Sequence, residues 1–262
     1  METSDPSSAI RVLVAGPDGR MGRVFMDGLP RQDGITLVGG LRRGDPVADR
    51  LADADVLVDF THPTSAPDLL LAAIEAGVRP VSGTSNLPED ALHAIDTAAR
   101  ERGIAAIWAP HYRLAGTLMT YLAQIAARYL DSVELIEAHH ATKADAPTGY
   151  AREFTRKLGL AHGGDLTDVD TPLVTVDGVR GGVVSGIRIH SLRLPGIIGW
   201  HEAIFAGDQE LLTIRHDDLG REAYVPSVAH AIRFVTSTNH TGLIRGYASV
   251  LGLPDVEPAA KS

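Results

Sequence analysis

Cysteine is absent from this 262-residue chain, and so is any long uncharged apolar run. Without cysteine there can be no disulfide, thiolate metal site or cysteine nucleophile, and the composition fits a reducing cytoplasm, where we expect the protein. No apolar run approaches the ~20 residues needed to span a bilayer, so no membrane partner is expected. Basic charge is also scarce: the formal charge of −9 argues against general nucleic-acid binding but leaves room for a local basic site.

The first half of the chain alternates short apolar runs with helical patterns. Strands are predicted at Ile10–Ala15, Ile35–Gly40, Asp55–Thr61, Arg79–Ser85 and Ile104–Trp108, with helices such as Ser65–Ala76 and Glu89–Arg102 between them. This alternation predicts an α/β fold with a Rossmann-type, doubly wound parallel sheet. In such sheets ligands bind across the carboxyl ends of the strands.

A glycine turn, Gly16-Pro17-Asp18-Gly19-Arg20-Met21-Gly22, follows the first strand and opens a helix. Glycines there let backbone N–H groups approach a pyrophosphate at the helix N-terminus, and Arg20 is a further phosphate candidate. The spacing is a variant of the usual fingerprint, so a structural glycine turn in another α/β fold is an equal alternative. The turn makes Gly16, Gly19, Arg20, Met21 and Gly22 candidate cofactor residues.

The second strand ends at Arg42-Arg43, where an NAD site would place an acid on the ribose. Arginine can pair with a 2′-phosphate, which favours NADPH with NADH possible, and a solvated basic loop is the alternative. The other strand ends supply the remaining cofactor candidates: Phe60, Thr61, Gly83, Thr84, Ser85, Ala109, His111 and Tyr112.

The second half follows a different pattern. It predicts helices at Leu114–Leu130 and Thr148–Leu158, a loop at Gly159–Asp170, and strands at Val133–Ile136, Ile187–Leu194, Trp200–Ala206 and Glu210–His216. Short connections at Pro195-Gly196 and Gly207-Asp208 predict antiparallel pairing of the strands they join. A helix at Tyr224–Phe234 and the apolar segment Tyr247–Leu253 are expected to return to the first domain. The predicted domains are therefore 1–112 with 222–262 for the dinucleotide, and 113–221, a mainly antiparallel α+β domain, for the substrate.

One polar stretch, Glu137 to Gly149, concentrates chemistry after the first strand of the second domain. His139, His140, Lys143 and Asp145 fall within seven positions and are closed by Pro147-Thr148-Gly149. A proton donor, a cation for a carboxylate and an anion-binding turn would need such a set. A structural histidine and a solvated lysine are the alternatives. A metal site is not expected, because adjacent strand residues point to opposite faces.

These motifs, in this order, resemble the dihydrodipicolinate reductase family of lysine and diaminopimelate biosynthesis. The resemblance rests on the glycine turn, Asp59-Phe60-Thr61, Gly83-Thr84, Ala109-Pro110 and the Glu137–Gly149 stretch. It implies nicotinamide-dependent reduction of a cyclic, unsaturated dicarboxylate by a homotetramer. It also implies that His139 is the proton donor, that Lys143 assists by charge and holds substrate, and that His140, Thr148 and Gly149 bind a carboxylate.

Several residues depart from the family pattern. His111 and Tyr112 replace an Asn-Phe pair, Arg42 replaces an acid, and Tyr150 replaces a threonine that completes the carboxylate-binding turn. Two other functions therefore stay open. One is a homologous reductase for a related cyclic imine or unsaturated acid, and the other is a non-catalytic NADP(H)-binding regulator.

Overall fold

The computed structural model describes residues 9–164 and 166–260, which form two compact units. The first unit extends to Leu114 and includes Arg221–Leu253; the second holds Ala115–Gly220 and the tail from Pro254. The prediction assigned that tail to the first domain. Instead it joins the second unit, where the Ala259 N–H donates to the Ala161 carbonyl at 2.9 Å. Positions 1–8, 165 and 261–262 of the predicted domains lie outside the described residues.

The first unit is built on a six-stranded sheet whose strands all run parallel, in the order β11-β5-β4-β3-β1-β2. The strands are β1 (Ile10–Ala15), β2 (Ile35–Leu41), β3 (Val56–Asp59), β4 (Arg79–Ser82), β5 (Ala105–Trp108) and β11 (Gly242–Arg245). The helices are α1 (Arg20–Gly28), α2 (Val47–Leu51), α3 (Ala66–Glu75), α4 (Glu89–Arg102), α7 (Tyr224–Ser237) and α8 (Tyr247–Val250). The predicted doubly wound parallel sheet is confirmed; β11 and α2 had no sequence signal that we used.

Both faces of this sheet are buried, which is why its strands read as continuous apolar runs. Residues such as Val12 and Val56 belong to a core that includes α1 and α7, whereas Leu13 and Leu57 belong to a core that includes α3 and α4. The carboxyl ends of the strands are consequently positioned by two packed layers.

The second unit contains a five-stranded sheet in the order β10-β9-β6-β8-β7. Its strands are β6 (Ser132–His140), β7 (Gly182–Val184), β8 (Ile187–Leu194), β9 (Gly199–Gly207) and β10 (Glu210–Asp218), and its helices are α5 (Leu114–Ala127) and α6 (Gly149–His162). Three of the four pairings are antiparallel and β6·β8 is parallel, which confirms a mainly antiparallel sheet. One face packs on α5 and α6 through side chains such as Leu135, Phe154 and Phe205.

Two local predictions for the second unit were wrong. The short Pro195-Gly196 connection predicted that β8 and β9 pair, but β6 lies between them. The Gly207-Asp208 turn does join the antiparallel pair β9·β10, as predicted. The loop predicted from Gly159 begins later, because α6 continues to His162 before ending at Gly163 in the left-handed conformation that favours glycine.

Among the helices of the described residues, none has the length and apolar composition that a membrane span requires.

Candidate active site

The glycine turn in the first unit leaves backbone exposed at the start of α1. Gly16 has φ +65°, and a Cβ on Gly22 would lie 2.0 Å from the Gly16 carbonyl oxygen, so only glycine allows this close helix–strand approach. Within the described chain, no side chain caps α1 and its first turn carries no acidic residue. Uncapped N–H groups at a helix N-terminus suit an anion, and the turn therefore fits a dinucleotide pyrophosphate.

Asp59, a buried carboxylate, organises the neighbouring strand ends. It accepts hydrogen bonds from the Thr61 N–H at 3.1 Å, from the Thr61 hydroxyl at 2.5 Å, and from Ser82 Oγ and Thr84 Oγ1 at 2.7 and 2.8 Å. A Cβ on Gly83 would lie 2.0 Å from the Phe60 ring. These contacts hold the ends of β3 and β4 in one fixed arrangement.

The structure separates the predicted cofactor residues by accessibility. Those exposed are Gly19, Arg20, Arg42, Arg43, Thr61 and Ser85, and those half-buried are Gly16, Met21, Phe60 and His111. Buried ones are Gly22, Gly83, Thr84, Ala109 and Tyr112. The Tyr112 ring is fully buried, and its hydroxyl donates to the Ser82 carbonyl at 3.0 Å. The same side chain packs near Phe60, with ring centroids 5.7 Å apart.

Arg42 is held by the glycine turn itself. Its guanidinium donates to both oxygens of Asp18, at 2.8 and 3.2 Å, and this pairing lowers the pKa of the Asp18 carboxyl. A 2′-phosphate that used Arg42 would therefore compete with Asp18.

We expect Asp18→Asn to strengthen NADPH binding about twofold to fivefold, the range of an exposed ion pair, with a smaller change for NADH. Fluorescence titration of the purified protein with each cofactor measures this. Asp45→Asn is the control and should give a smaller gain, because Asp45 accepts from the Arg42 backbone N–H and its charge acts on the guanidinium less than that of Asp18 does. An equal change for both cofactors in Asp18→Asn would contradict a role through Arg42.

The polar residues of the second unit form two rows across β8, β6, β9 and β10, on the sheet face that packs on α5 and α6. The first row is Ser191, Glu137, His201 and His216, and the second is Arg193, His139, Gly199 and Asp218. Cross-strand neighbours lie about 4.5–5.5 Å apart at Cβ, so each row brings distant parts of the sequence into contact.

Glu137 is the centre of the first row and is fully buried. Its carboxylate accepts from the Thr148 N–H at 3.0 and 3.2 Å, from the Thr148 hydroxyl, from Ser191 Oγ at 2.8 Å and from Arg193 Nη2 at 3.2 Å. Burial opposes its charge, but these donors outweigh burial and lower the pKa of Glu137. Glu137 is therefore an anion in the interior of the unit.

His139 lies beside this carboxylate, with Nε2 3.8 Å from Glu137 Oε2 and its ring 5.1 Å from that of His201. Among the described residues, His139 Nε2 has no hydrogen-bond partner. Burial lowers the pKa of His139, Glu137 opposes this, and the cations Arg193 and Lys143 reinforce it. The imidazole is thus a weakly basic, half-buried group that can release a proton readily.

Gly199 leaves the space that the His139 ring occupies, since a Cβ there would lie 2.6 Å from His139 Nδ1. We expect Gly199→Ala to displace the His139 ring and to reduce kcat about tenfold. Misplacing a catalytic group by 1 Å can lower the rate by even more than tenfold. Steady-state kinetics and thermal unfolding measure the effect. Ala203→Gly changes the same strand away from His139 and is the control; an unchanged turnover in Gly199→Ala would contradict the steric argument.

Lys143 already holds a carboxylate in this structure. Its Nζ contacts Asp145 Oδ1, and Asp145 also accepts from the Gly149 N–H at the start of α6. The Lys143 hydrogen bond is the main cause that lowers the pKa of Asp145. Lys143 and the Gly149 N–H together are thus a carboxylate-binding pair, which a ligand could use in place of Asp145.

Three candidate substrate residues near the turn, His140, Thr148 and Tyr150, make different contacts. The Thr148 N–H and hydroxyl both donate to Glu137, so this residue anchors the turn. Tyr150 directs its hydroxyl towards α5, where it contacts Thr120 Oγ1 at 2.9 Å and donates to the Gly116 carbonyl at 3.1 Å. His140 follows His139 on the strand, so it lies on the opposite face, where its Nδ1 contacts Thr142 Oγ1 at 2.9 Å.

Glu137, His139 and His201 offer three ligand-type atoms within 4.8 Å of one another. The Glu137 carboxylate is occupied by N–H and O–H donors and by Arg193, a cation that opposes a metal ion. The chemistry of this cluster therefore favours proton handling over metal binding.

Comparison with known proteins decides the family. The model for "Dihydrodipicolinate reductase, N-terminus" matches residues 10–112, and the model for its C-terminus matches residues 116–251. The chain belongs to the dihydrodipicolinate reductase family. Members of this family are NAD(P)H-dependent oxidoreductases of lysine biosynthesis.

Two curated relatives match this family member over most of its length. The 4-hydroxy-tetrahydrodipicolinate reductase of Mycolicibacterium vanbaalenii is 35% identical over 246 residues, and that of Coxiella burnetii is 36% identical over 245. Each match covers 93% of this chain and 100% of the relative.

Solved structures agree with the fold of the family. A dipicolinate-bound dihydrodipicolinate reductase from Paenisporosarcina sp. TG-14 is 28% identical with a TM-score of 0.83, covering 92% of this chain and 99% of that one. An amine dehydrogenase from Mycobacterium smegmatis, 16% identical with a TM-score of 0.65 over 95% of this chain and 97% of that one, shares the fold alone.

Sequence reasoning missed the positions of several residues in this reductase-family site. Glu137 was noted only as part of a motif, although its two-residue spacing from His139 on a strand indicates a shared face. His201 and Asp218 carried no signal of their own, because their positions depend on the order of strands in the sheet.

Proposed function

We propose that this protein reduces 4-hydroxy-tetrahydrodipicolinate, the hydrated form of dihydrodipicolinate, to tetrahydrodipicolinate with NAD(P)H. One observation in the structure carries the proposal: Lys143 and the Gly149 N–H bind the Asp145 carboxylate, and the Lys143 charge also acts on His139. A cyclic dicarboxylate substrate needs such a pair of donors to bind one of its carboxylates near the proton donor. The names of the curated relatives and the dipicolinate bound in the neighbouring structure support the same substrate class.

The substrate must first lose its 4-hydroxyl group as water, which gives dihydrodipicolinate. A hydride and a proton are then added across a conjugated double bond of that compound. The bound dihydronicotinamide supplies the hydride, and the negative charge that it leaves on the ring must be neutralised. We propose that His139 gives the proton, a step that a histidine near its pKa performs well. Lys143 binds one substrate carboxylate, in the place of Asp145, and its charge stabilises the transition state.

The cofactor is proposed to be NADPH in preference to NADH. The uncapped N-terminus of α1 suits the pyrophosphate, and Arg42 and Arg43 are both exposed at the end of β2, where the 2′-phosphate would lie. The Asp18–Arg42 pair reduces this preference for NADPH, because the 2′-phosphate must replace Asp18 as the partner of Arg42. NADH remains a usable second cofactor on this reasoning.

A coupled assay tests the proposal. Dihydrodipicolinate synthase, pyruvate and aspartate semialdehyde generate the substrate, and oxidation of NADPH or NADH is followed at the nicotinamide absorbance. We expect turnover with both cofactors and a lower KM for NADPH. No turnover with either cofactor would exclude the proposed reaction.

Tyr150 favours one second candidate, the reduction of a related cyclic imine or unsaturated acid. Its ring lies 4.4 Å from that of His201, beside the carboxylate-binding turn, where the family has a smaller threonine. A panel of cyclic imines and enoic acids with NADPH distinguishes the two candidates. Higher kcat/KM for any panel member than for the dipicolinate-pathway substrate would favour the second.

A homotetramer is proposed as the assembly. Strand alternation places an apolar set on the sheet face opposite α5 and α6, namely Leu192, Leu194, Trp200, Ile204 and Leu211. Leu211 is 72% exposed, and a subunit interface is one of the interaction sites that exposed apolar patches mark. Light scattering that gives a monomer would contradict this.

Neither nucleic acid nor a membrane is an expected partner, and the cytoplasm stays the predicted location.

A further inference from the structure

We propose that Glu137 is a positioning residue for the reduction: its buried carboxylate is the counter-charge for protonated His139 and also anchors the carboxylate-binding turn. This inference rests on the proposed function, because it assigns Glu137 a role in the same proton transfer. It adds a residue that touches neither substrate nor cofactor in the proposed reaction.

Glu137 contacts both halves of the site at once. On one side Thr148 donates its N–H and its hydroxyl, which fixes the start of α6, and Ala151 N–H in turn donates to the Thr148 hydroxyl at 3.2 Å. On the other side Glu137 Oε2 lies 3.8 Å from His139 Nε2 and 3.9 Å from His201 Nε2. A shift of this one carboxylate would therefore alter both the proton donor and the turn.

Charges from every strand around His139 show why a counter-charge is needed. The facing groups are Glu137 on β6, Lys143 in the turn, Arg193 on β8, His201 on β9 and Asp218 on β10. Burial and two cations oppose a proton on His139, whereas Glu137 and the weaker Asp218 favour it. Asp218 also lies 3.5 Å from His216 Nε2. Glu137 is thus the main group that keeps the imidazole able to carry its proton.

The pH profile separates this role from a purely structural one. His139 acts as an acid, so turnover is present below its pKa and is lost as pH rises through it. Glu137→Gln keeps the side-chain shape but removes the charge, and an opposite charge at this distance raises a histidine pKa by about one unit or more. We expect the alkaline limb of kcat to move down by about one pH unit, with the loss largest at high pH. Equal loss at every pH would overturn the proposal.

Ser191→Ala is the matched control, because it removes one donor to the same carboxylate while leaving its charge. We expect its alkaline limb to stay in place. If Glu137→Gln does not fold, Glu137→Asp retains the charge but withdraws it from His139, and its limb should move in the same direction by less. An unmoved limb in Glu137→Asp, when that is the variant that folds, would overturn the proposal.

NMR titration of the His139 imidazole gives a readout that does not need the reaction. The signal is assigned by its loss in His139→Gln, and it should titrate about one unit lower in Glu137→Gln than in the wild type. An unchanged titration overturns the role of Glu137. Failure of the wild type in the coupled assay, with the titration shift present, would instead reject the proposed function alone.

Discussion

Replacing His139 by glutamine is expected to lower kcat about a hundredfold to ten-thousandfold, the usual contribution of a positioned general acid. Glutamine fills a similar volume but cannot deliver a proton at neutral pH, so the charge left by the hydride would go unneutralised. NADPH binding should not change, because the glycine turn belongs to the other unit. Steady-state kinetics with the coupled assay and a separate cofactor titration measure the two quantities.

His162→Gln is the control for this substitution. His162 ends α6, where its imidazole contacts Asp131 at 3.0 Å and the Gly164 carbonyl, and it has no part in the proposed chemistry. Its kcat should match that of the wild type. Turnover of His139→Gln within a few-fold of the wild type would remove His139 from the proton-donor role, whatever the state of the fold.

Replacing Gly22 by alanine is expected to weaken NADPH binding by about tenfold or more, which corresponds to ~1.4 kcal/mol. The added Cβ would lie 2.0 Å from the Gly16 carbonyl oxygen and 2.8 Å from Pro17 Cα, both backbone atoms, so the turn itself must move. Overpacking of this kind also lowers the free energy of unfolding by about 1–3 kcal/mol. Isothermal titration and urea unfolding measure the two effects.

Two other glycines calibrate this result. A Cβ on Gly19 would lie 3.2 Å from the same carbonyl, so Gly19→Ala should show a smaller effect in the same direction. Gly182 has open space around it, and Gly182→Ala should leave both binding and stability near the wild type. Wild-type affinity in Gly22→Ala would show that the close approach of helix and strand does not position the cofactor.

The sequence was sufficient for β1 to β5 of the parallel sheet, because these five strands follow one another with helical segments between most of them. In such a sheet local patterns determine the connections, and the carboxyl ends come together by topology. The glycine turn, Phe60 and Gly83 were therefore found at the correct edge. The burial of Tyr112 was not predicted, because a residue at a strand end can face the core as readily as a ligand.

The second unit was harder, because its site depends on the order of strands. The Pro195-Gly196 turn predicted a β8·β9 hairpin, whereas β6 lies between those strands and pairs with both. Only this insertion brings Ser191 and His201 to opposite sides of Glu137. No local pattern encodes it, since the parallel β6·β8 contact joins segments more than fifty residues apart (Glu134 pairs with Arg188).

The two polar rows make the pairing register of β6 a determinant of turnover in its own right. Successive strand residues face opposite ways, so a slip of β6 by one position would turn His139 and Glu137 outwards and bring Ala138 and His140 inwards. His140 would then occupy the inner face, but Ala138 and Ile136 would precede it there, and neither carries a carboxylate. A substitution in a distant turn could permit such a slip. The sheet would then look intact by circular dichroism, although His139, the proposed proton donor, would no longer face the site.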